Sequence, residues 1–325
     1  MKVETFSQRW IVVALLAAIA APLSANAQVW PAKPVRLVIN FPPGSSPDVV
    51  GRAVAVPLSQ ALGQPVVPDN RSGASGIIGA DAVAKAAADG YTLLMSAGST
   101  MAVSAHTFPK LPFDPAKDLL PVAAAARIEL FLVSRSDLPF KTFNEFLAFA
   151  KANPGKLTYG SPGNASAPHI AVEMLESRAG ISALHVAYKG AAPALQDLLG
   201  GVVDFCFDPG IALVHVRAGR LRLLAVGSAK RSALFPDTPT LHELGMSNFD
   251  AGTTHAFFAP AGTPAAIVER LNSEINRILM SPAVNQQIRS LGAEPTPMTP
   301  AELRALVERD SKRYGAIVRE RNIKE

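Results

Sequence analysis

The stretch Phe41-Pro42-Pro43-Gly44-Ser45-Ser46-Pro47-Asp48 sets hydroxyls, a carboxylate and a glycine between an apolar run, Val35 to Asn40, and a helix-like run that begins at Val49. The chemistry those residue types offer is capture of a small anion. Ser46 is placed to cap a helix by accepting from an orphan backbone N–H, Pro47 then falls at the first helical position, and Asp48 suits the positive helix end. Backbone donors collect at such a start, so an anion can be held there without a lysine. Three further turns repeat the theme: Ser96-Ala97-Gly98-Ser99-Thr100, Ser161 to Ser166, and Asp208-Pro209-Gly210. Ser96, Ser99, Ser161 and Ser166 supply hydroxyls, and the glycines admit close approach of the backbone. A single turn serine is more often merely solvated. Four such turns at strand ends favour a small-molecule cleft, because ligands of open α/β sheets sit outside the carboxyl ends of the strands.

Other chemistries lack the required spacing. No Gly-x-Ser-x-Gly elbow is present, and the serine-rich turns do not substitute for one. The six histidines, His106, His169, His185, His215, His242 and His255, include no i, i+4 pair and none lies near a cysteine, so a metal site has no support. Asp204 and Asp208 flank a strand, where a turn role outweighs a catalytic one. Gly73-Ala74-Ser75-Gly76-Ile77-Ile78-Gly79 follows a strand and opens a helix, yet its glycine spacing is not the dinucleotide fingerprint and no phosphate-binding lysine follows. Close helix packing after a tight turn is the better reading. The single cysteine, Cys206, sits in the apolar run Val202 to Phe207 and reads as core. Neither an enzyme nor a cofactor is expected.

The elements that must position these turns alternate strand and helix. Val35 to Asn40, Pro65 to Val67 and Tyr91 to Met95 read as strands, separated by helices from Val49 and from Ile77, which argues for a parallel sheet flanked by helices. Pro57 should kink or shorten the first helix. Residues 96–118 read as irregular. Two strands follow, at Val122 to Ala126 and Leu130 to Ser134. The middle repeats the pattern: Thr142-Phe143-Asn144-Glu145 is a capping box, Leu157 to Tyr159, Leu184 to Ala187, Val202 to Phe207 and Leu221 to Val226 are strands, and Ser166 is placed to cap a helix. His255 to Phe258 is a further strand. Thr263-Pro264 then opens a helix striped by Ile267, Leu271, Ile275 and Ile278, and Thr299 to Glu302 is a second capping box.

The N-terminus reads as an export segment. Lys2 and Arg9 precede the apolar run Ile11 to Ala20, and Ala25-Asn26-Ala27 matches a small-x-small cleavage site, so the mature chain would begin at Gln28. Removing those 27 residues from 325 leaves 298, enough for two domains with separate cores. Basic residues exceed acidic ones only modestly, 31 to 26, and they are scattered, so nucleic acid is a poor partner. An exported chain with one cysteine has no internal disulfide.

At the level of motifs, the chain resembles the substrate-binding receptors of tripartite tricarboxylate transporters, the Bug/TctC-like family. The resemblance spans nearly all of the mature chain. It rests on Trp30-Pro31-Ala32-Lys33-Pro34, Phe41-Pro42-Pro43-Gly44, Asp69 to Ala74, Asp89-Gly90-Tyr91-Thr92-Leu93-Leu94, Tyr159 to Gly163, Tyr188-Lys189-Gly190, Asp197 to Gly201 and Phe258 to Pro264. It implies a periplasmic-binding-protein type II (Venus flytrap) fold, two α/β domains joined by two crossovers, with a carboxylate held largely by backbone N–H groups, hydroxyls and water. The sequence departs from that pattern at Ser45 and Pro47, where the family commonly has glycine and threonine. It departs again at Thr254-His255-Ala256, where an aromatic–glycine pair is usual.

These readings combine into a periplasmic, monomeric solute receptor that delivers a small carboxylate to the membrane subunits of a tripartite transporter. A ligand-sensing module for a signalling partner is the competing class. Domain 1 is expected at 28–127 and 228–325, and domain 2 at 128–227. One jaw would be Phe41, Pro43, Gly44, Ser45, Ser46 and Asp48 with Ser96 and Ser99; the other, Ser161, Asn164, Ser166, His169 and Asp208.

Overall fold

The computed structural model describes residues 30–324. The expected export segment lies outside the described residues. The chain runs β1 (Val35–Ile39), α1 (Ser46–Leu62), β2 (Val66–Asn70), a 3-10 turn (Ala74–Gly76), α2 (Ile77–Ala84), β3 (Thr92–Ser96), α3 (Gly98–Ala102), α4 (Ser104–Thr107) and β4 (Leu119–Ile128). It then passes into β5 (Phe131–Arg135), α5 (Phe143–Ala152), β6 (Thr158–Ser161), α6 (Ala167–Ala179), β7 (Leu184–Ala187), α7 (Ala191–Gly200), β8 (Phe205–Asp208), α8 (Leu213–Arg217) and β9 (Leu221–Val226). It closes with β10 (Thr253–Pro260), α9 (Ala265–Leu279), α10 (Pro282–Arg289), β11 (Ala293–Pro295) and α11 (Pro300–Glu320).

Two sheets result, ordered β11-β4-β10-β3-β1-β2 and β7-β6-β8-β5-β9. β1 pairs in parallel with β2 and β3. That accounts for its almost unbroken burial, since helices cover both faces of such a strand. β10 enters the first sheet antiparallel, between β3 and β4, after the whole second lobe has been made. The fold is thus a two-lobed α/β binding protein of type II, with crossovers after Ile128 and before Thr253.

Four details set this fold apart from the pattern read in the residues. The helix after the first turn begins at Ser46 with Ser45 as its N-cap, and no side chain caps it. Ser46 Oγ is engaged elsewhere, as shown below. Pro57 lies inside α1 without ending it. Val50, Val54 and Leu58 are fully buried on this helix, and burying each such side chain is worth about 1.5–3 kcal/mol, enough to offset the roughly 3 kcal/mol of an interior proline. Residues 96–118 are not wholly irregular, because they hold α3 and α4. Finally, residues 227–252 pack on the second lobe: Leu241, Met246 and Phe249 join a core with Phe205 and Phe207.

The two capping boxes are present at Thr142/Glu145 and Thr299/Glu302. Cys206 is a buried free thiol, and burial pushes its pKa up. The last helix ties the lobes together. Tyr314 and Val318 of α11 pack into the second lobe's core, and Arg321 pairs with Glu173 at 2.7 Å and Glu176 at 2.6 Å. No helix among the described residues is long and apolar enough to cross a membrane.

Candidate functional site

The lobes meet across two adjoining cavities. The central one, about 40 Å³, is walled on the first lobe by Phe41, Ser45, Ser46, Ser99, Thr253 and His255, and on the second by Pro162, Ser166, Ala167, Pro168, Ala191 and Pro209. Three helices of at least ten residues, α1, α6 and α7, begin at this cavity. Their first-turn N–H groups have no intrahelical acceptor and carry the positive end of the helix dipole. The outer cavity, about 550 Å³, shares Phe41 and Pro162 with the first and adds the Ser72–Gly76 turn, Asn164 and Lys189.

Sequence reading placed four turns, three of them bearing hydroxyls, at one cleft. Ser45, Ser46, Ser99 and Ser166, with Phe41, reach the central wall. Asn164 reaches the outer cavity, where its carbonyl accepts from Ser75 Oγ at 2.6 Å across the lobes. Pro43 and Gly44 are exposed and are not in the lining of either cavity, and the remaining named residues stand behind these surfaces. Asp48 accepts from Gly44 N at 3.0 Å, Arg52 Nε at 2.8 Å and Asn70 Nδ2 at 2.8 Å, which shapes the turn that holds Pro43 and Gly44. Ser96 Oγ accepts from Asn40 Nδ2 at 3.0 Å. Asn40 Nδ2 also reaches Thr100 Oγ1, and Gly76 and Gly79 pack against the same side chain. The Gly73–Gly79 segment is thus a tight turn followed by close packing of α2.

In the second lobe, Ser161 Oγ lies 2.7 Å from His185 Nε2. His185 stacks between Tyr159 and His169, with ring centroids 4.7 and 4.0 Å away. Burial, reinforced by the neighbouring His169, pushes the His185 pKa down to about 4. Ala165 N donates to His169 Nδ1 at 2.9 Å, so the proton sits on Nε2, which faces Glu173 Oε1 at 3.4 Å. Burial raises the Glu173 pKa, but hydrogen bonds from His169 and Arg321 outweigh it and hold the carboxylate at about 2. Ser166 Oγ caps α6 by accepting from His169 N. His169 therefore orders the turn from behind rather than facing the cavity.

Asp208 is also a support. Its Oδ1 accepts from Gly210 N at 2.7 Å and Ala212 N at 2.8 Å, fixing the loop that brings Pro209 to the wall. Burial pushes its pKa up to about 6 despite those backbone bonds. A folded-state pKa above the ordinary carboxylate value means that stability is lost as pH rises through 6 and is regained fully below about pH 4. Asp208→Asn keeps an acceptor and removes the buried charge. It should raise unfolding stability at pH 8 by up to about 3 kcal/mol and change it little at pH 4, as read from urea midpoints. No gain at pH 8 would mean that the carboxylate carries no such cost.

Two polar wall residues are absent from the sequence-derived set. Thr253 and His255 of β10 are each 3% exposed, and the only signal toward them is the unusual Thr254-His255-Ala256. Ser46 Oγ lies 2.8 Å from His255 Nε2. Burial pushes the His255 pKa down to about 3, so the ring is neutral. Its Nδ1 has no partner among the described residues, so no carboxylate there orients it and the Ser46–His255 pair is not a hydrolytic triad.

A two-lobed fold with its polar turns, helix starts and only neutral side chains facing one interlobe cavity defines a solute-binding receptor. The chain belongs to the tripartite tricarboxylate transporter family receptors (TctC), whose pattern it matches over residues 50–323. It is 41% identical to protein BugT of Bordetella pertussis over 311 residues, 95% of this chain and 94% of that protein. Among solved structures, R. palustris Rpa4515 with adipate superposes with a TM-score of 0.88 at 33% identity, over 91% of this chain and 99% of the other. MatC of Rhodopseudomonas palustris with bound malate gives a TM-score of 0.84 at 32% identity, over 89% and 100%. The family and these neighbours are binding receptors rather than enzymes.

Proposed function

We propose that this receptor captures a small organic carboxylate in the central cavity, closes its lobes over it, and hands it to the membrane subunits of a tripartite transporter. The observation that carries the reading is the convergence of the α1, α6 and α7 N-termini on a cavity with no cation in its described lining. Hydrogen bonds to a charged group contribute about 1.5–3 kcal/mol each, so four of them, net of ordering costs, approach the roughly 8 kcal/mol of micromolar affinity. The adipate- and malate-bound relatives support the ligand class.

The central cavity has room for about three waters. A longer ligand would extend past Phe41 and Pro162 into the outer cavity, where Lys189 is in no ion pair among the described residues and suits a second carboxylate. We assign ligand contact to Phe41, Ser45, Ser46, Ser99 and Ser166, and the shaping of their turns to Pro43, Gly44, Asp48, Ser96, Ser161, His169 and Asp208. The receptor acts as a monomer in the periplasm after loss of residues 1–27. The first lobe boundary is carried at 127/128, and the second is placed near Gly252 rather than at 227/228, because residues 227–252 pack on the second lobe.

The test is a thermal-shift screen of the processed protein against C3 to C8 mono- and dicarboxylates. A ligand at a hundredfold excess over its Kd adds about 2.7 kcal/mol, which should raise the melting temperature by about 5 °C or more. A screen in which no carboxylate moves the transition removes the carboxylate reading.

A further inference from the structure

Thr253 and His255 lie two residues apart on β10, so their side chains leave the same face of the strand. Both line the central cavity and both are nine-tenths buried or more. Thr253 Oγ1 and His255 Nδ1 nevertheless have no hydrogen-bond partner among the described residues. Buried polar side-chain atoms are normally satisfied, and two exceptions on one strand face, at one cavity, mark a place where an absent group completes the wall.

The partners already present define what that group must be. Among the described residues, the Ser46 hydroxyl has no acceptor other than His255 Nε2, at 2.8 Å. With that hydroxyl donating to Nε2, the imidazole proton sits on Nδ1, and Ser46 meets a bound anion through its backbone N–H. The wall thus offers one neutral N–H donor and one hydroxyl that can donate or accept. The described lining of the cavity holds no Lys or Arg, so the pair suits an uncharged oxygen better than a further carboxylate. The charge of a bound anion falls to the helix starts of α1, α6 and α7, on the adjoining walls.

We propose that Thr253 and His255 are specificity-determining residues that select carboxylates bearing a hydroxyl or keto oxygen over their unsubstituted counterparts. His255 Nδ1–H donates to that oxygen, and Thr253 Oγ1 takes its hydrogen when it is a hydroxyl. The unsubstituted ligand would leave both wall atoms buried and unpaired, which is how a site built to bond an oxygen rejects an analogue that lacks it. This inference rests on the carboxylate reading.

The experiment is isothermal titration of the processed protein with matched pairs: succinate against malate, glutarate against 2-hydroxyglutarate and 2-oxoglutarate, and butanoate against 3-hydroxybutanoate. At least one oxygenated member should bind tenfold or more tightly than its plain partner. In Thr253→Val and in His255→Phe that ratio should fall below threefold. Thr253→Val, which preserves the side-chain shape, carries the test where His255→Phe does not fold. Plain carboxylates that bind the wild type as tightly as oxygenated ones, or a ratio that survives both substitutions, would overturn the assignment and leave the carboxylate reading standing. Failure of every member to bind would remove both.

Discussion

Gly210→Ala should weaken carboxylate capture by tenfold or more, and should also lower the melting temperature. Gly210 follows the Asp208-Pro209 turn at φ +104°, a conformation that L side chains rarely adopt. A methyl group there would overlap the backbone carbonyl oxygen of Leu291, which belongs to the other lobe. The two effects separate. Strain at such a φ costs about 1–3 kcal/mol in any lobe arrangement and appears as reduced stability. The overlap with Leu291 opposes the lobes' approach and adds about 1–3 kcal/mol in the closed form alone, and each 1.4 kcal/mol is a tenfold loss of affinity. Gly180→Ala is the control: Gly180 has φ +63° with open space around it, so it carries the strain without the overlap and should leave Kd alone. Calorimetry on the two variants would decide the matter. Equal affinity for Gly210→Ala and wild type would mean that the Gly210–Leu291 contact is not made in the form that binds.

The second large effect is acid sensitivity through His255. An unfolded histidine takes up its proton near pH 6.5, whereas burial holds His255 neutral down to about pH 3. Between those values the unfolded state binds more protons, so stability falls as pH falls, by about 1.4 kcal/mol per unit and about 3 kcal/mol between pH 6.5 and 4. His185 acts in the same direction with a smaller share, being less buried. Asp208 works in the opposite direction from pH 6 to 4 and would mask part of the loss. Denaturant titrations are therefore best made in Asp208→Asn, with Asp208→Asn/His255→Phe beside it. The single variant should lose stability with acid more steeply than the double. Parallel pH profiles would mean that His255 is protonated in the fold with little penalty.

Much of the architecture was legible because it depends on local rules. Alternating apolar runs and turns announced two α/β units. Thr142 with Glu145, and Thr299 with Glu302, announced two helix starts through groups only three residues apart. Ser166 announced a third, and the apolar neighbourhood of Cys206 announced its burial. Pro57 was misleading for an instructive reason. A proline's local penalty is visible in sequence, but the burial of Val50, Val54 and Leu58 that outweighs it depends on sheet and helices assembled from distant segments. The long passage 227–252 gave little local pattern to read, and its place on the second lobe follows from Leu241, Met246 and Phe249 meeting Phe205 and Phe207.

The opening turn shows where the boundary lies. By itself the sequence determined that a helix begins just after Phe41-Pro42-Pro43-Gly44, that it carries serines and no lysine, and that three similar turns recur. Hydroxyl type, glycine and helix-start signals are properties of neighbouring residues. Only the tertiary structure decided which hydroxyls face the cavity, because Ser46 is turned by His255, a residue 209 positions away on a strand inserted antiparallel between β3 and β4. Thr253 and His255 could not be found from local pattern, since a strand's alternation tells which residues share a face but not which face meets a ligand. That choice was made by the packing of two lobes, and it left two buried polar atoms without a partner among the described residues, on residues that line the interlobe cavity.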